Sequence, residues 1–427
     1  MKACLYTLGC KVNAIETGSI AALLREEGFT VSEDPSGADV IVLNSCTVTA
    51  SGDSRMRRQL RTLRREHPDA VIVLTGCYVQ AFPEEAAAIP EADILTGTRH
   101  RSAIPGLIRE YLAHPHRILA QEAYMPGDAF EPLPQGTDAA HTRAFLKIQD
   151  GCDRFCTYCI IPYARGRSRS RSASDIRAEA AALAAQGFRE IVLCGINLAC
   201  WEDQGMDLAD AAGLCADAGI PRIRLGSLEP DGLTEDVLDR LAAVPGLCPQ
   251  FHISVQSGCD LTLAAMHRHY TAGEYAALLT RIRARFPEAA VTTDLMVGFP
   301  GETDGDFAET LCFAEAMRFA RIHVFRYSPR PGTPAASAPE QIPEAVKKSR
   351  ADQLAALGAR MQAEFLAGMA GRKVSVLFER ERGDGWHRGH AENYAAVQVP
   401  SDGADWRGTI RTVTVTSAES GHLLAAP

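Results

Sequence analysis

Three segments near the start of the chain repeat one pattern, an apolar and β-branched run that ends within one to three residues of a cysteine. Residues 3–8 precede Cys10, residues 40–43 precede Cys46 and residues 71–74 precede Cys77. Residues 15–27 place apolar side chains at helical spacing, and residues 54–67 form an Arg-rich helical stretch, so the order reads βαβαβ with buried parallel strands. Residues 94–95 and a helix near 104–112 extend this to a doubly wound domain over 1–113. From 114 to 142 there is no periodicity, and Pro115, Pro126, Pro132 and Pro134 mark a linker.

A second series follows, with strand-like runs at 145–148, 190–194, 222–225, 251–255, 291–297 and 321–327. Helical patterns separate them, at 174–186, 233–243, 272–286 and 304–317. Six βα units predict an incomplete parallel barrel within a domain of 143–370, which ends in a long helix from about 344. After Gly371 the runs shorten and alternate (373–378, 395–399, 409–415), the pattern of a small all-β barrel over 371–427.

Composition narrows the class. The chain has 427 residues, 46% hydrophobic and 23% charged, which excludes disorder, collagen and a coiled coil. No apolar run reaches the roughly 18 residues of a membrane span, and Lys11 interrupts the start before a signal-peptide core forms, so a cytoplasmic location without membrane contact is expected. In a reducing cytosol the 13 cysteines read as metal ligands or catalytic groups before they read as disulfides. The formal charge of −9 is a sum and does not describe local patches.

The sharpest cluster is Cys152, Cys156 and Cys159, a CxxxCxxC directly after the first strand of the barrel series. Three thiolates on so short a loop can hold three irons of a cubane cluster and leave one open. A zinc site competes with this reading, although zinc sites usually pair CxxC elements and use four ligands. Cys10, Cys46 and Cys77 lie 36 and 31 residues apart. Each follows a strand of one parallel sheet, so they can converge at its carboxyl edge, where doubly wound domains bind ligands. Three unrelated buried cysteines remain the alternative. The other seven (Cys4, Cys194, Cys200, Cys215, Cys248, Cys259 and Cys312) share no spacing and read as packing.

CxxxCxxC in this position resembles the radical S-adenosylmethionine (SAM) superfamily. With LGCKVNAIE, LNSCTVTASGDSRMRRQLR, TGCYVQ and KIQDGCDRFCTYCIIPYARGRSRSR, nearly the whole chain resembles the methylthiotransferases of the MtaB type, which act on N6-threonylcarbamoyladenosine in tRNA. The resemblance implies two 4Fe-4S clusters. Cys152, Cys156 and Cys159 would ligate the one that cleaves SAM, and Cys10, Cys46 and Cys77 an auxiliary one that carries the sulfur. It further implies one SAM for methylation of that sulfur and one for the radical that drives substitution at adenine C2 of nucleotide 37. Separate electron and sulfur donors would be required, and a monomer is expected. No catalytic residue beyond the cluster ligands is assigned.

VQSGCD, MHRHYTAGEY, TDLMVGFPGET and YSPRPGTPAA resemble further blocks of the family. Gly195, Asn197, Ser227, Glu229, Gln256, Asp294 and Gly298 fall at the ends of the barrel strands and are candidate SAM contacts, with close backbone packing an equal explanation for Gly195 and Gly298. For tRNA, the first candidates are Arg55, Arg57, Arg58, Arg61, Arg64 and Arg65, a helical run with no acid between 55 and 65; those expected to grip phosphate are Arg55, Arg58, Arg61 and Arg65. Arg165, Arg167, Arg169 and Arg171 alternate after the CxxxCxxC loop and form a second candidate group. The C-terminal module resembles the TRAM domain, with Trp386 and Tyr394 as stacking or core residues, yet it carries as many acids as bases. An isopentenyladenosine-tRNA or a ribosomal-protein methylthiotransferase would share both triads. A non-catalytic iron–sulfur RNA-binding redox sensor would lack the SAM-binding blocks.

Overall fold

The computed structural model describes residues 1–136, 142–379, 383–419 and 421–427. Its contacts divide the chain into two units that are each discontinuous in sequence. Residues 1–138, 149–171 and 328–336 form the first, and 139–148, 172–327 and 337–427 the second.

The first unit is built on a parallel sheet of six strands: β1 (Lys2–Leu8), β2 (Thr30–Ser32), β3 (Val40–Ser45), β4 (Val71–Gly76), β5 (Ile94–Thr96) and β6 (Ile118–Ala120). Their order is β2-β1-β3-β4-β5-β6, so the chain reverses its direction of travel between β1 and β3. Every residue of β3 and β4 is buried, because helices cover both faces. Side chains alternate along a strand, so Ile41, Leu43, Ile72 and Leu74 meet Met56, Leu60 and Leu63 of helix α2 (Ala50–Glu66) on one face. Val40, Val42, Val71 and Val73 meet Ile20 and Leu24 of helix α1 (Lys11–Glu26), with Ile104 and Ile108, on the other. β6 arises within the stretch that reads as a linker. Three residues are too short to show a period, and Ile118 is buried by joining the edge of the sheet.

Segment 149–171 belongs to this first unit. Strands β8 (Gln149–Asp150) and β9 (Arg169–Ser170) pair antiparallel and pinch the base of the loop that carries Cys152, Cys156 and Cys159. Gly151 is required there: its φ is +74°, and a Cβ would lie 1.9 Å from the Arg167 carbonyl oxygen.

In the second unit, β7 (Ala144–Lys147), β10 (Glu190–Cys194) and β11 (Arg222–Leu225) form one parallel sheet in the order β11-β10-β7. β12 (Ser227–Leu228), β13 (Gln250–Ile253), β14 (Ala290–Val297) and β15 (Arg321–Arg326) form another in that order. The third expected strand, 222–225, is β11, and the two-residue β12 was not expected; it follows Gly226, whose N–H donates to the Leu193 carbonyl oxygen at 2.9 Å. β7 and β15 remain edges, which is the incomplete barrel that the six βα units predict. One hydrophobic core runs from Ala144 to Met361, and the helix Glu344–Ala367 packs along β15.

β16 (Lys373–Phe378), β17 (Trp386–Ala391), β18 (Ala396–Pro400), β19 (Ile410–Glu419) and β20 (His422–Ala426) close the small C-terminal barrel. Its core tryptophan is Trp406, stacked on His387 at 4.2 Å. Trp386 is half-buried, while Tyr394 is exposed, stacked on His390 at 4.5 Å and covered by the Arg224 guanidinium at 4.7 Å.

This small barrel is held to the parallel strands through Glu190. The fully buried Glu190 carboxylate pairs with Arg224 at 2.9 Å, Arg143 at 3.2 Å and Arg222 at 3.8 Å. Arg222 also donates to Ser375 Oγ at 2.7 Å, and Arg224 to the Glu392 carbonyl oxygen at 2.8 Å. Burial opposes ionisation of Glu190, but Arg224 and then Arg143 and Arg222 outweigh it and hold the carboxyl below its usual range. Replacing Glu190 with Ala strands these cations and is expected to cost about 3–5 kcal/mol in urea denaturation. Arg372→Ala, at an exposed pair with Glu288, is expected to cost less than about 1 kcal/mol.

Candidate functional site

Cys10, Cys46 and Cys77 do converge. Cys46 follows β3 directly, Cys77 follows β4 directly, and Cys10 caps α1 two residues beyond β1, so all three occupy the carboxyl edge that flanks the β1/β3 reversal. A Cβ on Gly9 would lie 2.9 Å from the Cys46 Cβ, which brings the first two loops into contact. A Cβ on Gly76, at φ +103°, would lie 2.3 Å from the Ser45 carbonyl oxygen, which does the same for the second and third. Asn13 fastens the group. Its Oδ1 accepts from the Cys10 thiol at 3.1 Å, and its Nδ2 donates to Asn44 Oδ1 at 3.2 Å and to the Ser45 carbonyl oxygen at 3.1 Å.

The three thiols act on one another electrostatically. Burial pushes the Cys77 thiol up to about 12, with Cys46 and Cys10 adding to the rise and Arg165 opposing it. Burial likewise raises Cys46, with Cys10 adding. Crowded thiols that resist ionisation need a cation to become thiolates, and three such sulfurs fit an iron–sulfur cluster bound through three irons.

The second triad lies on the loop closed by β8 and β9. Cys156 is buried, while Cys152 and Cys159 are half-buried. The Cys152 N–H reaches the Gly166 carbonyl oxygen at 3.1 Å, the Cys159 N–H reaches that of Cys156 at 2.9 Å, and Phe155 takes a left-handed φ of +47°. Such strain in a non-glycine residue persists where the surroundings impose it, often at a functional site. This donor set also fits a cluster held by three thiolates.

Beside these triads lies an ion-pair network that pattern analysis does not reveal. Arg165 is wholly buried and pairs with Glu16 through two contacts, 2.8 and 3.0 Å, and with Asp150 at 3.0 Å. Arg101 reaches the same Glu16 at 2.8 Å. In the 328–336 segment, Arg330 donates to Thr47 Oγ1 at 2.7 Å and pairs with Asp53. One signal of this was available: Glu16 occupies the buried stripe of Val12, Ile20 and Leu24 on α1, where a carboxylate needs a partner.

The arginines expected to bind tRNA therefore divide. Arg165 is sealed inside, and Arg169 turns inward to Asp150 and over the Tyr124 ring, so neither offers a free face to phosphate. Arg167 is exposed and faces Asp153 at 3.2 Å, and Arg171 is half-buried. On α2, Arg57 pairs with Glu85 at 2.8 Å, and Arg64 pairs with Asp93. The acids missing between 55 and 65 come from elsewhere in the chain. Arg55, Arg58, Arg61 and Arg65 form the exposed face of α2. Arg61 lies 3.7 Å from Glu91 and Arg65 3.0 Å from Glu66, while Arg55 and Arg58 form no ion pair among the described residues.

In the second unit Gly195, Asn197, Glu229, Gln256 and Gly298 follow barrel strands, Ser227 opens β12 and Asp294 lies within β14. Gly195 is half-buried, Asn197 is buried with Nδ2 3.0 Å from Cys200 Sγ, Ser227 is exposed, and Gln256 takes φ +72°. Glu229 pairs with Arg268. Asp294 accepts from Ser254 Oγ at 2.8 Å and faces His252 Nε2 at 3.3 Å; burial opposes its charge, but His252 and Ser254 outweigh burial and lower its pKa. Polar residues alternating with Phe251 and Ile253 along β13 were the signal for His252 and Ser254. Gly298 is accounted for by packing: at φ +72° its N–H donates to Glu302 at 2.7 Å, and a Cβ would lie 2.3 Å from Lys347 Cγ.

The radical SAM superfamily model matches residues 146–314, and the model described as uncharacterized protein family UPF0004 matches residues 2–97. The chain is thus a radical SAM protein. It is 38% identical to threonylcarbamoyladenosine tRNA methylthiotransferase MtaB of Bacillus subtilis, over 92% of this chain and 89% of that protein. MtaB of Thermotoga maritima is 36% identical over 88% of this chain and 86% of that protein. A tRNA-2-methylthio-N(6)-dimethylallyladenosine synthase of Paenarthrobacter aurescens is 36% identical over 99% of this chain and 84% of that protein. Among solved structures, the radical SAM methyltransferase TsrM of Kitasatospora setae matches with a TM-score of 0.59 at 17% identity over 78% of this chain and 77% of that one, a likeness of fold. The chain belongs to the radical SAM tRNA methylthiotransferase family.

Among the described residues no helix is long and apolar enough to cross a membrane. Arg330→Ala leaves Asp53, whose carboxyl burial already pushes up, without its cation. The expected loss is about 3–5 kcal/mol in chemical denaturation, as for other buried pairs broken on one side.

Proposed function

We propose that the protein converts N6-threonylcarbamoyladenosine at nucleotide 37 of tRNA to its 2-methylthio derivative. The observation that carries this reading is the convergence of Cys10, Cys46 and Cys77 in the same unit as Cys152, Cys156 and Cys159, in a chain 38% identical to an MtaB enzyme. Each triad would hold one 4Fe-4S cluster. When bound, the two clusters supply the electron for cleavage of one SAM and the seat of the sulfur that a second SAM methylates.

The chain's own residues position these groups. Asn13 ties the Cys10 loop to the end of β3, and the β8–β9 pair fixes the base of the other loop. On the barrel strands of the second unit and the loops that follow them, Asn197, Ser227, Glu229, Gln256 and Asp294 supply the polar contacts for SAM, and Asp294, ionised under its neighbours' influence, suits the hydroxyls or ammonium of that molecule. Gly195 contributes backbone. The exposed arginine face of α2 and the TRAM-like barrel would meet tRNA, because Arg55 and Arg58 are exposed and form no ion pair among the described residues. The proposal includes a cytoplasmic monomer that takes electrons and sulfur from separate donors.

Dimethylallyladenosine is the second substrate reading, since synthases named for it match nearly all of the chain at similar identity. A comparison of tRNA nucleosides between parent and deletion strains decides: loss of 2-methylthio-N6-threonylcarbamoyladenosine is expected, and an unchanged level rejects the proposal. In anaerobically reconstituted protein, Cys10→Ala is expected to keep 5′-deoxyadenosine formation and stop sulfur insertion, whereas Cys156→Ala stops both. Iron analysis should find about eight irons in the parent and about four in each variant.

A further inference from the structure

His252 on β13, Ser254 directly after that strand and Asp294 on β14 converge so that both side-chain contacts to Asp294 fall on one oxygen. Asp294 Oδ2 accepts from Ser254 Oγ at 2.8 Å and meets His252 Nε2 at 3.3 Å. An ionised carboxylate only accepts, so Nε2 carries the hydrogen and His252 Nδ1 takes that of Thr292 Oγ1 at 2.9 Å. A chain of hydrogen bonds therefore runs from Thr292 through the imidazole to the carboxylate. Among the described residues no donor reaches Asp294 Oδ1, and the side chain keeps 23% of its surface exposed.

A carboxylate with neither oxygen held turns about its terminal bond, and a ligand that stops this motion loses affinity to the lost entropy. Here two donors from the neighbouring strand hold one oxygen, so the other is oriented before a ligand arrives. The donors are fixed in turn. The Ser254 carbonyl oxygen takes Tyr270 Oη at 3.0 Å and Arg268 Nη2 at 3.1 Å, and the His252 ring packs edge to face with His323 at 5.6 Å. The Asp294 backbone extends the order to another candidate contact, because its carbonyl oxygen accepts the Gln256 N–H at 3.0 Å. Packing does not call for this group, since Phe251 and Ile253 already supply the apolar face of β13.

We propose that His252 and Ser254 are positioning residues: they hold Asp294 Oδ2 so that Oδ1 is presented to a hydrogen-bond donor of SAM, and they act on that molecule only through Asp294. The inference rests on the reading of Asp294 as a SAM contact.

The test measures SAM affinity by equilibrium dialysis with the anaerobically reconstituted full chain, at iron content matched to the parent. Asp294→Asn is expected to weaken binding about tenfold or more, the size of one hydrogen bond to a charged group. Unchanged affinity there refutes the SAM reading of Asp294, and the inference with it. With that reading standing, His252→Leu and Ser254→Ala are each expected to weaken binding by about three- to tenfold, and His252→Gln, which keeps an N–H donor, to recover most of the loss. In the Asp294→Asn background neither His252→Leu nor Ser254→Ala should weaken binding further, because each acts through the carboxylate. Affinity unmoved by either single variant, an equal fold-loss in the Asp294→Asn background, or a His252→Gln protein as weak as His252→Leu overturns the inference. If His252→Leu does not retain iron, Ser254→Ala, which removes the shorter contact, decides by its own loss and by that loss in the Asp294→Asn background.

Discussion

The two-pronged contact between Arg165 and Glu16 is the constraint on which the first unit depends. Each charge is removed from water, and an uncompensated one would cost several kcal/mol, so helix α1 and the helix Ile161–Arg165 must meet with their side chains aligned. Asp150 and Arg101 complete the network from two further segments. This is why residues 149–171 fold with the N-terminal sheet although their neighbours on both sides in the chain belong to the other unit.

The same logic recurs around Glu190, where one carboxylate gathers Arg143, Arg222 and Arg224 and secures the C-terminal barrel. In both places specificity comes from buried charge, while stability comes from the apolar faces of the sheets. The parallel strands could pack against many partners. Only the arrangement that pairs these ions avoids burying them alone.

The fold was largely legible because it follows periodicity. Continuous apolar runs gave β1, β3 and β4, and six βα units gave the incomplete barrel, with the extra strand β12 hidden because two residues carry no period. β6 was missed because three residues carry no period. At the site, strand-then-cysteine phrasing was enough to place Cys10, Cys46 and Cys77 on one edge. The arginines were not legible. Arg58 and Arg165 look equally available in sequence, yet one lies on an exposed helix face and the other is sealed against Glu16.

The sequence alone therefore determined the order of the elements, the edge on which the first triad lies and the membership of the family, since each depends on local spacing or on a run of residues. The tertiary structure decided which charges are spent inside and which face solvent. Glu16, Asp53 and Asp150 find their arginines across 149, 277 and 15 residues of chain, and the register of such a pair is set only when the helices and loops that carry it have packed. No local pattern encodes that distance, because a buried ion pair is a property of two surfaces brought together.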